Sequence, residues 1–372
     1  MKANKIRVQL PIEYLPDLWP AHLKGKKIGC LLHPASVGPD FRHSLDVLEA
    51  FEGYLFKIAA LFGPQHGIYG HTQDNMIEWK GYSDPRLKIP VYSLYGEHRE
   101  PPPYMWEGID ALLVDLQDVG ARYYTFIWTL LLCMQSAEKA GKEVIVLDRP
   151  NPLASLVEEG SPLEMEYASF VGLHPIAIRH GKTIGELARL FKKERFPRLS
   201  LTVLEMKGYS GEMWFDETNL PWVMPSPNMP TLDTAIVYPG MCLFEATNVS
   251  EGRGTTRPFE IFGAPFINAE DLCDHMNSLG MPGVFFRRNH FQPTFHKWSG
   301  QICNGAQIHV LDRTQFPSFR SAIELLKYLF HAYPDQFQWK PPPYEYEYDK
   351  LPIDILLGNG WYRKKMIEGS SR

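Results

Sequence analysis

Five polar segments of this chain carry residue types that could do chemistry, and the first four directly follow short apolar runs. The stretch GPQHGIYGH, residues 63–71, sets Gln65, His66 and His71 among three glycines. Glycines at that density let backbone approach a ligand closely, so Gln65 and His66 are expected to project into a cleft. DLQDVGARYYTF, residues 115–126, supplies Asp115, Gln117, Asp118, Arg122 and Tyr123. Asp115 follows an apolar strand directly, where a carboxylate is either paired or aimed at substrate. Arg122 could hold it, or could grip a substrate carboxylate bidentately. Helix capping is the competing role for Asp115 and Asp118. DRPNP adds Asp148 and Arg149, and RHG adds His180. EATNVSEGRGTTRPFE, residues 245–260, brings Glu245, Asn248, Glu251, Arg253 and Arg257 together. Its carboxylates, facing others from the first half of the chain across a cleft, would give the acid and base on separate supports that glycosidic hydrolysis needs. The alternative is a lattice of salt bridges between domains.

Other chemistries lack their motifs. His66, His71, Asp115 and His180 could ligate a metal, but there is no H-E-x-x-H and no close cysteine set, so no metal is expected. No G-x-S-x-G elbow marks a serine hydrolase. The first loop, His33-Pro34-Ala35-Ser36, has no G-x-G-x-x-G cradle for a pyrophosphate, which argues against a dinucleotide cofactor.

The elements that must position these groups read as α/β: a Rossmann-like, mostly parallel sheet followed by a second, smaller mixed α/β domain. Apolar runs at 27–32, 56–62, 89–94, 111–116, 143–147, 175–178 and 201–206 predict strands. Between them, 44–52, 103–107, 124–140 and 183–194 predict helices. The last opens with Thr183 three residues before Glu186, a capping-box spacing. Such a sheet offers its ligand site outside the carboxyl ends of its strands. PWVMPSPNMP, 221–230, forbids helix and strand interiors and predicts the crossing between domains 1–226 and 227–372. Beyond it, 269–279 and 318–331 read as helices and 283–287 and 307–311 as extended. Tyr344, Tyr346 and Tyr348 alternate as in an extended segment buried on one face, and the end of the chain predicts no terminal helix.

At 372 residues and 44% hydrophobic composition the chain can bury two cores. A formal charge of -5 gives no positive field for nucleic acid. Five scattered cysteines fit free thiols rather than a disulfide framework. The longest apolar stretch, near 126–133, is too short to insert into a membrane. The first residues carry no leader pattern, which predicts a cytoplasmic location for the chain as written and an exported one where a leader precedes it.

LFGPQHGIYG, DLQDVGARYYTF, VLDRPNP, RHGKTIGELA, PSPNMPTLDTAIVYPG and EATNVSEGRGTTRPFE, in that order along nearly the whole chain, resemble the bacterial exo-β-N-acetylmuramidase family, glycoside hydrolases long catalogued as a domain of unknown function. The resemblance implies a Rossmann-like amino-terminal domain, a smaller carboxyl-terminal domain and a site in the cleft between them. It implies hydrolysis of the β-1,4 bond of terminal N-acetylmuramic acid in peptidoglycan fragments, without a cofactor. The family's second loop usually reads P-E-H-G, and its glutamate is a proposed catalytic carboxylate; this sequence has Gln65 there. By the same resemblance Gln65, His66, Asp115 and Glu251 are catalytic candidates. Asp118, Arg122, Tyr123, His180, Glu245, Asn248 and Arg253 are substrate-binding candidates, with Arg122 or Arg253 on the lactyl carboxylate. The departure at Gln65 leaves two expectations: an enzyme whose acid or base comes from elsewhere, or a weakened or non-catalytic muropeptide binder. The family also continues past ILLGNG into a longer end with a terminal helix, so a shortened second domain is expected here.

Overall fold

The structure, a computed structural model, describes residues 7–73, 76–155 and 157–368. The leader reading falls partly on residues 1–6, which lie outside these. The chain forms two compact, interleaved units: Met1–Gly120, Tyr124–Leu156 and Gly181–Pro227 make unit 1, and Ala121–Tyr123, Val157–His180 and Asn228–Arg372 make unit 2. A single cut at residue 226 therefore does not describe them, because two short pieces of the first half fold with unit 2.

Unit 1 is built on seven strands: β1 (Lys26–Leu32), β2 (Phe56–Gly63), β3 (Tyr82–Ser83), β4 (Pro90–Ser93), β5 (Ala111–Asp115), β6 (Glu143–Leu147) and β7 (Leu201–Leu204). Their order is β3-β4-β2-β1-β5-β6-β7, parallel throughout except for β3 against β4. Without two-residue β3 this is the doubly wound Rossmann order, which reverses between β1 and β5. β5 and β6 are buried along their whole length, as unbroken apolar runs covered on both faces should be.

The helices of this unit are α1 (Leu15–Leu18), α2 (Ser44–Glu49), α3 (Phe126–Ala140) and α4 (Ile184–Arg195). α3 stops where Gly141 turns left-handed, at φ 63°. α4 starts with the capping box expected from its sequence: Thr183 accepts the Glu186 N–H and the Glu186 carboxylate accepts that of Thr183.

Unit 2 carries a three-stranded antiparallel sheet in the order β8-β10-β9, from β8 (Ile261–Ala264), β9 (Val284–Phe291) and β10 (Cys303–Val310). α6 (Ala269–Ser278) packs on β9 and β10, and α5 (Leu232–Met241) packs on α7 (Ser318–Ala332). Two further helices, α8 (Pro352–Leu357) and α9 (Trp361–Glu368), close the described chain.

Several expectations are corrected. Residues 175–178 form no strand; they belong to unit 2, and the next residue, Arg179, makes isolated bridges to Ala121 and Glu159. Pro103–Trp106 is a single 3-10 turn. α5 was hidden by the prolines around it, and it holds Pro239 near its end, where one lost N–H costs little of the helix. α9 supplies the terminal helix that the sequence did not suggest. Tyr344 is buried while Tyr348 is 65% exposed, because the chain reverses between Tyr344 and Glu347 instead of running extended. All five cysteines are free and buried.

Candidate active site

At the point where strand order reverses, the β1 and β5 loops are tied directly to each other. His33 Nε2 accepts the Gln117 N–H at 2.8 Å, its Nδ1 faces the Pro225 carbonyl at 3.4 Å, and the Ser36 hydroxyl donates to the Asp115 carbonyl. Burial, with the nearby Arg149 charge adding to it, takes the His33 ring down to about 3, so it is neutral with its proton on Nδ1. The space left there, among Gln117, Arg149, Pro221 and Val223, is about 10 Å³. That is room for one water at most. Phe215, Leu220, Pro221 and Val223 form one wall of this space.

Asp115 lies beneath this tie. Its carboxylate receives Arg149 through Nε and Nη2 and the Ser44 hydroxyl, with 1% of its surface exposed. Burial favours its neutral form, yet the Arg149 charge and hydrogen bonds outweigh that and hold it below the ordinary carboxylate range. Asp115 is thus held as an anion by Arg149 and Ser44, a state that leaves it electrostatic help rather than proton donation. Asp118 accepts the Gly120 N–H at 2.7 Å, the turn-forming role. Gly120 must be glycine: its φ is 81°, and a Cβ would sit 2.6 Å from Asn151 Oδ1. Asp148 accepts from the Gly185 and Arg149 N–H groups and from the Thr183 hydroxyl at the start of α4, and burial raises it to about 6.

The β2 loop has a different character. Gln65 is held by two hydroxyls: Thr125 Oγ1 donates to its Oε1 at 2.6 Å, and its Nε2 donates to Tyr95 Oη at 3.1 Å. Tyr95 also accepts the Met76 N–H at 2.9 Å. His66, at φ 69°, places Nδ1 2.6 Å from the Thr72 carbonyl. A carbonyl only accepts, so the proton is on Nδ1, and Nε2 is the basic nitrogen of the neutral ring. Beneath the loop, Trp79 donates its indole N–H to the Pro64 carbonyl, and a Cβ on Gly63 would come within 2.7 Å of that indole. Tyr95 and Thr125 escaped the sequence reading, although Tyr95 lies two residues beyond β4, where the strand-end rule would have found it.

The other expected site residues fall in unit 2. Arg122 is fully buried, and its guanidinium donates to the carbonyls of Ser161, Ile176 and Leu356 at 2.8–2.9 Å. Burial lowers it to about 10. It pins three backbone segments, which corrects its expected grip on a substrate carboxylate. Tyr123 is likewise buried and donates to the Pro239 carbonyl. His180 has no exposed surface and does not end a sheet strand. Asn248 laces its loop to residues 336–338: its amide donates to the Gln336 carbonyl at 2.8 Å and accepts the Gln338 N–H at 3.0 Å. That is a structural rather than a substrate-binding use.

Glu245, Glu251 and Arg253 form a buried ionic cluster with partners the sequence reading missed. Arg253 meets Glu245 at 2.6 Å and Glu251 at 3.2 Å. Glu251 also meets Lys297 at 2.8 Å and His296 at 3.3 Å, and Tyr344 donates to Glu245 at 2.7 Å. Burial alone would raise Glu251, but the charges and hydrogen bonds of Lys297, His296 and Arg253 hold it far below the usual range. Glu251 is thus held as an anion, a state that leaves it electrostatic help rather than proton donation. Among the described residues no group of three His, Cys, Asp or Glu side chains is disposed to hold a metal, and no helix is long and apolar enough to cross a membrane.

A doubly wound sheet with polar strand-end loops, joined in one chain to a smaller antiparallel unit, defines a two-unit α/β protein. Comparison with known proteins makes this specific. Residues 28–233 match the amino-terminal model, and residues 236–372 the carboxyl-terminal model, of the exo-β-N-acetylmuramidase NamZ family. The chain belongs to that family. It is 46% identical over 369 residues, 99% of its length and 86% of the relative's, to the peptidoglycan β-N-acetylmuramidase NamZ of Bacillus subtilis. Two DUF1343 family crystal structures from Bacteroides fragilis share the fold. One has a TM-score of 0.84 at 34% identity, covering 96% of this chain and 91% of that one. The other has 0.73 at 28%, covering 98% and 92%.

Proposed function

We propose that this protein is an exo-β-N-acetylmuramidase that hydrolyses the β-1,4 bond of terminal N-acetylmuramic acid in peptidoglycan fragments. The observation that carries the reading is the 46% identity to the Bacillus subtilis enzyme along 99% of the chain. Asp115 in unit 1 and Glu251 in unit 2 are each held ionised among cations, so neither is the proton donor in this reading and the β2 loop takes that work. His66, with Nδ1 anchored on Thr72, once charged gives a proton from Nε2 to the leaving oxygen as the acetamido oxygen attacks C1, and takes one back from the water that then opens the oxazolinium ring to release the sugar. Gln65 transfers no proton; its clamped amide positions the sugar. The acetamido group of an N-acetyl sugar is itself a competent nucleophile, which lessens the demand for a protein carboxylate.

The test is release of free N-acetylmuramic acid from purified muropeptides, followed by chromatography. The expected result is time-dependent release that His66→Ala lowers by about 10²-fold or more. No release above a heat-treated control between pH 5 and 9 would refute the assignment. A second reading, binding without turnover, is favoured by the amide at Gln65. It predicts saturable calorimetric binding of N-acetylmuramic acid with no product.

A further inference from the structure

A cavity of about 460 Å³ opens in unit 1 beside Trp79. Trp79 joins it to the Gln65 loop: its indole N–H holds the Pro64 carbonyl, its backbone N–H bonds to the Tyr95 carbonyl, and it also lines the cavity. Ser93 and Gly96, on either side of Tyr95, line it too. The volume lies within the roughly 300–1,000 Å³ typical of small-molecule sites. The walls combine aromatic faces with short-range polar groups. Tyr104 is 47% exposed and stands edge-on to Tyr92 and to His98, with ring centroids 6.1 Å apart in each case. Glu78, Glu97, Lys80 and His98 supply acceptors and donors around the rings.

That combination selects a class of ligand. Glu78 and Glu97 would oppose an anion where Lys80 and His98 would oppose a cation, whereas a purely apolar ligand would leave all four without water or partners. A neutral pyranose satisfies both sets: its C–H face lies on an aromatic ring while its hydroxyls and amide meet the carboxylates, the hydroxyl of Ser93 and the backbone. We infer that this cavity is a second sugar subsite, one that holds a neutral N-acetylhexosamine of the glycan strand beyond the residue being released. The inference rests on the muramidase reading for its biological meaning, though not for the binding itself.

The test uses chitotriose, a glycan with no muramic acid, titrated into the full-length protein and followed by tryptophan fluorescence and calorimetry. Saturable binding is expected, weakened about tenfold by Tyr104→Ala and preserved by Tyr104→Phe, which keeps the ring. With glycan-strand substrate, Tyr104→Ala should raise KM about tenfold and leave kcat in place. Absence of binding at millimolar chitotriose overturns the inference. So does binding to which Tyr104→Ala is indifferent while the variant's melting temperature matches the parent. Chitotriose binding without release of N-acetylmuramic acid from muropeptides upholds the subsite and refutes the hydrolase. Release without chitotriose binding does the reverse.

Discussion

The β2 loop of unit 1 and the 245–253 segment of unit 2 both bury polar side chains, and they do so by opposite means. Gln65 is held by two neutral hydroxyls, each a modest interaction. Glu251 is enclosed by Lys297, Arg253 and His296. In a low-dielectric interior an ionic cluster fixes protonation, because any change of charge strands a partner. A neutral cluster leaves its members exchangeable. The sequence pattern ranked both segments alike as chemical sites. The structure separates them by charge: Glu251 lies among fixed ions, whereas Gln65 accepts from Thr125 and donates to Tyr95.

The largest expected effect breaks the ionic side. Glu251→Gln keeps the shape but leaves Lys297 and Arg253 buried without their anion, and it should cost about 3–5 kcal/mol in urea unfolding. A loss below 1 kcal/mol would mean that water already screens the cluster. Next, Arg122→Met removes the donor from three buried carbonyls and should cost about 3 kcal/mol in the same measurement.

Asp148 sharpens the contrast through pH. Its folded value of about 6 lies above the unfolded one, so between about pH 4 and 6 the folded state keeps a proton that the unfolded state has released. Its contribution to stability therefore falls as pH rises through that window, by up to roughly 3 kcal/mol at 1.36 per unit. Asp148→Asn should gain on the parent across the same window in unfolding curves, whereas a flat difference would contradict the buried carboxyl. Glu251 has the opposite sign: its depressed value adds stability above the unfolded carboxylate range, which is lost only as pH falls. The smallest effect belongs to the neutral cluster. Thr125→Val removes one hydroxyl donor from Gln65 and should cost about 1 kcal/mol in thermal melting.

The parallel sheet was legible because β1, β5 and β6 are unbroken apolar runs, and α4 because Thr183 and Glu186 make a local signature. Residues 175–178 misled for a related reason: they are apolar and buried, but in a loop of unit 2. α5 was concealed by prolines that sit before it and near its end. The site residues were found by type, but their partners were not legible. Asp115 takes its partner Arg149 from 34 residues away and Glu251 takes Lys297 from 46 away, and such pairings leave no local trace. The interleaving of Ala121–Tyr123 and Val157–His180 into unit 2 was equally invisible, since it depends on packing and not on pattern.

The central claim is that the neutral clamp around Gln65 is the place that sets turnover. A carboxylate of the same shape could accept from Thr125 and from the Tyr95 hydroxyl, so Gln65→Glu should fold normally. Measured on a chromogenic β-N-acetylmuramide, Gln65→Glu is predicted to raise kcat by roughly 10²-fold or more, with KM little changed. A folded Gln65→Glu protein with the parent's kcat would contradict the account and show that the residue at position 65 does not limit turnover.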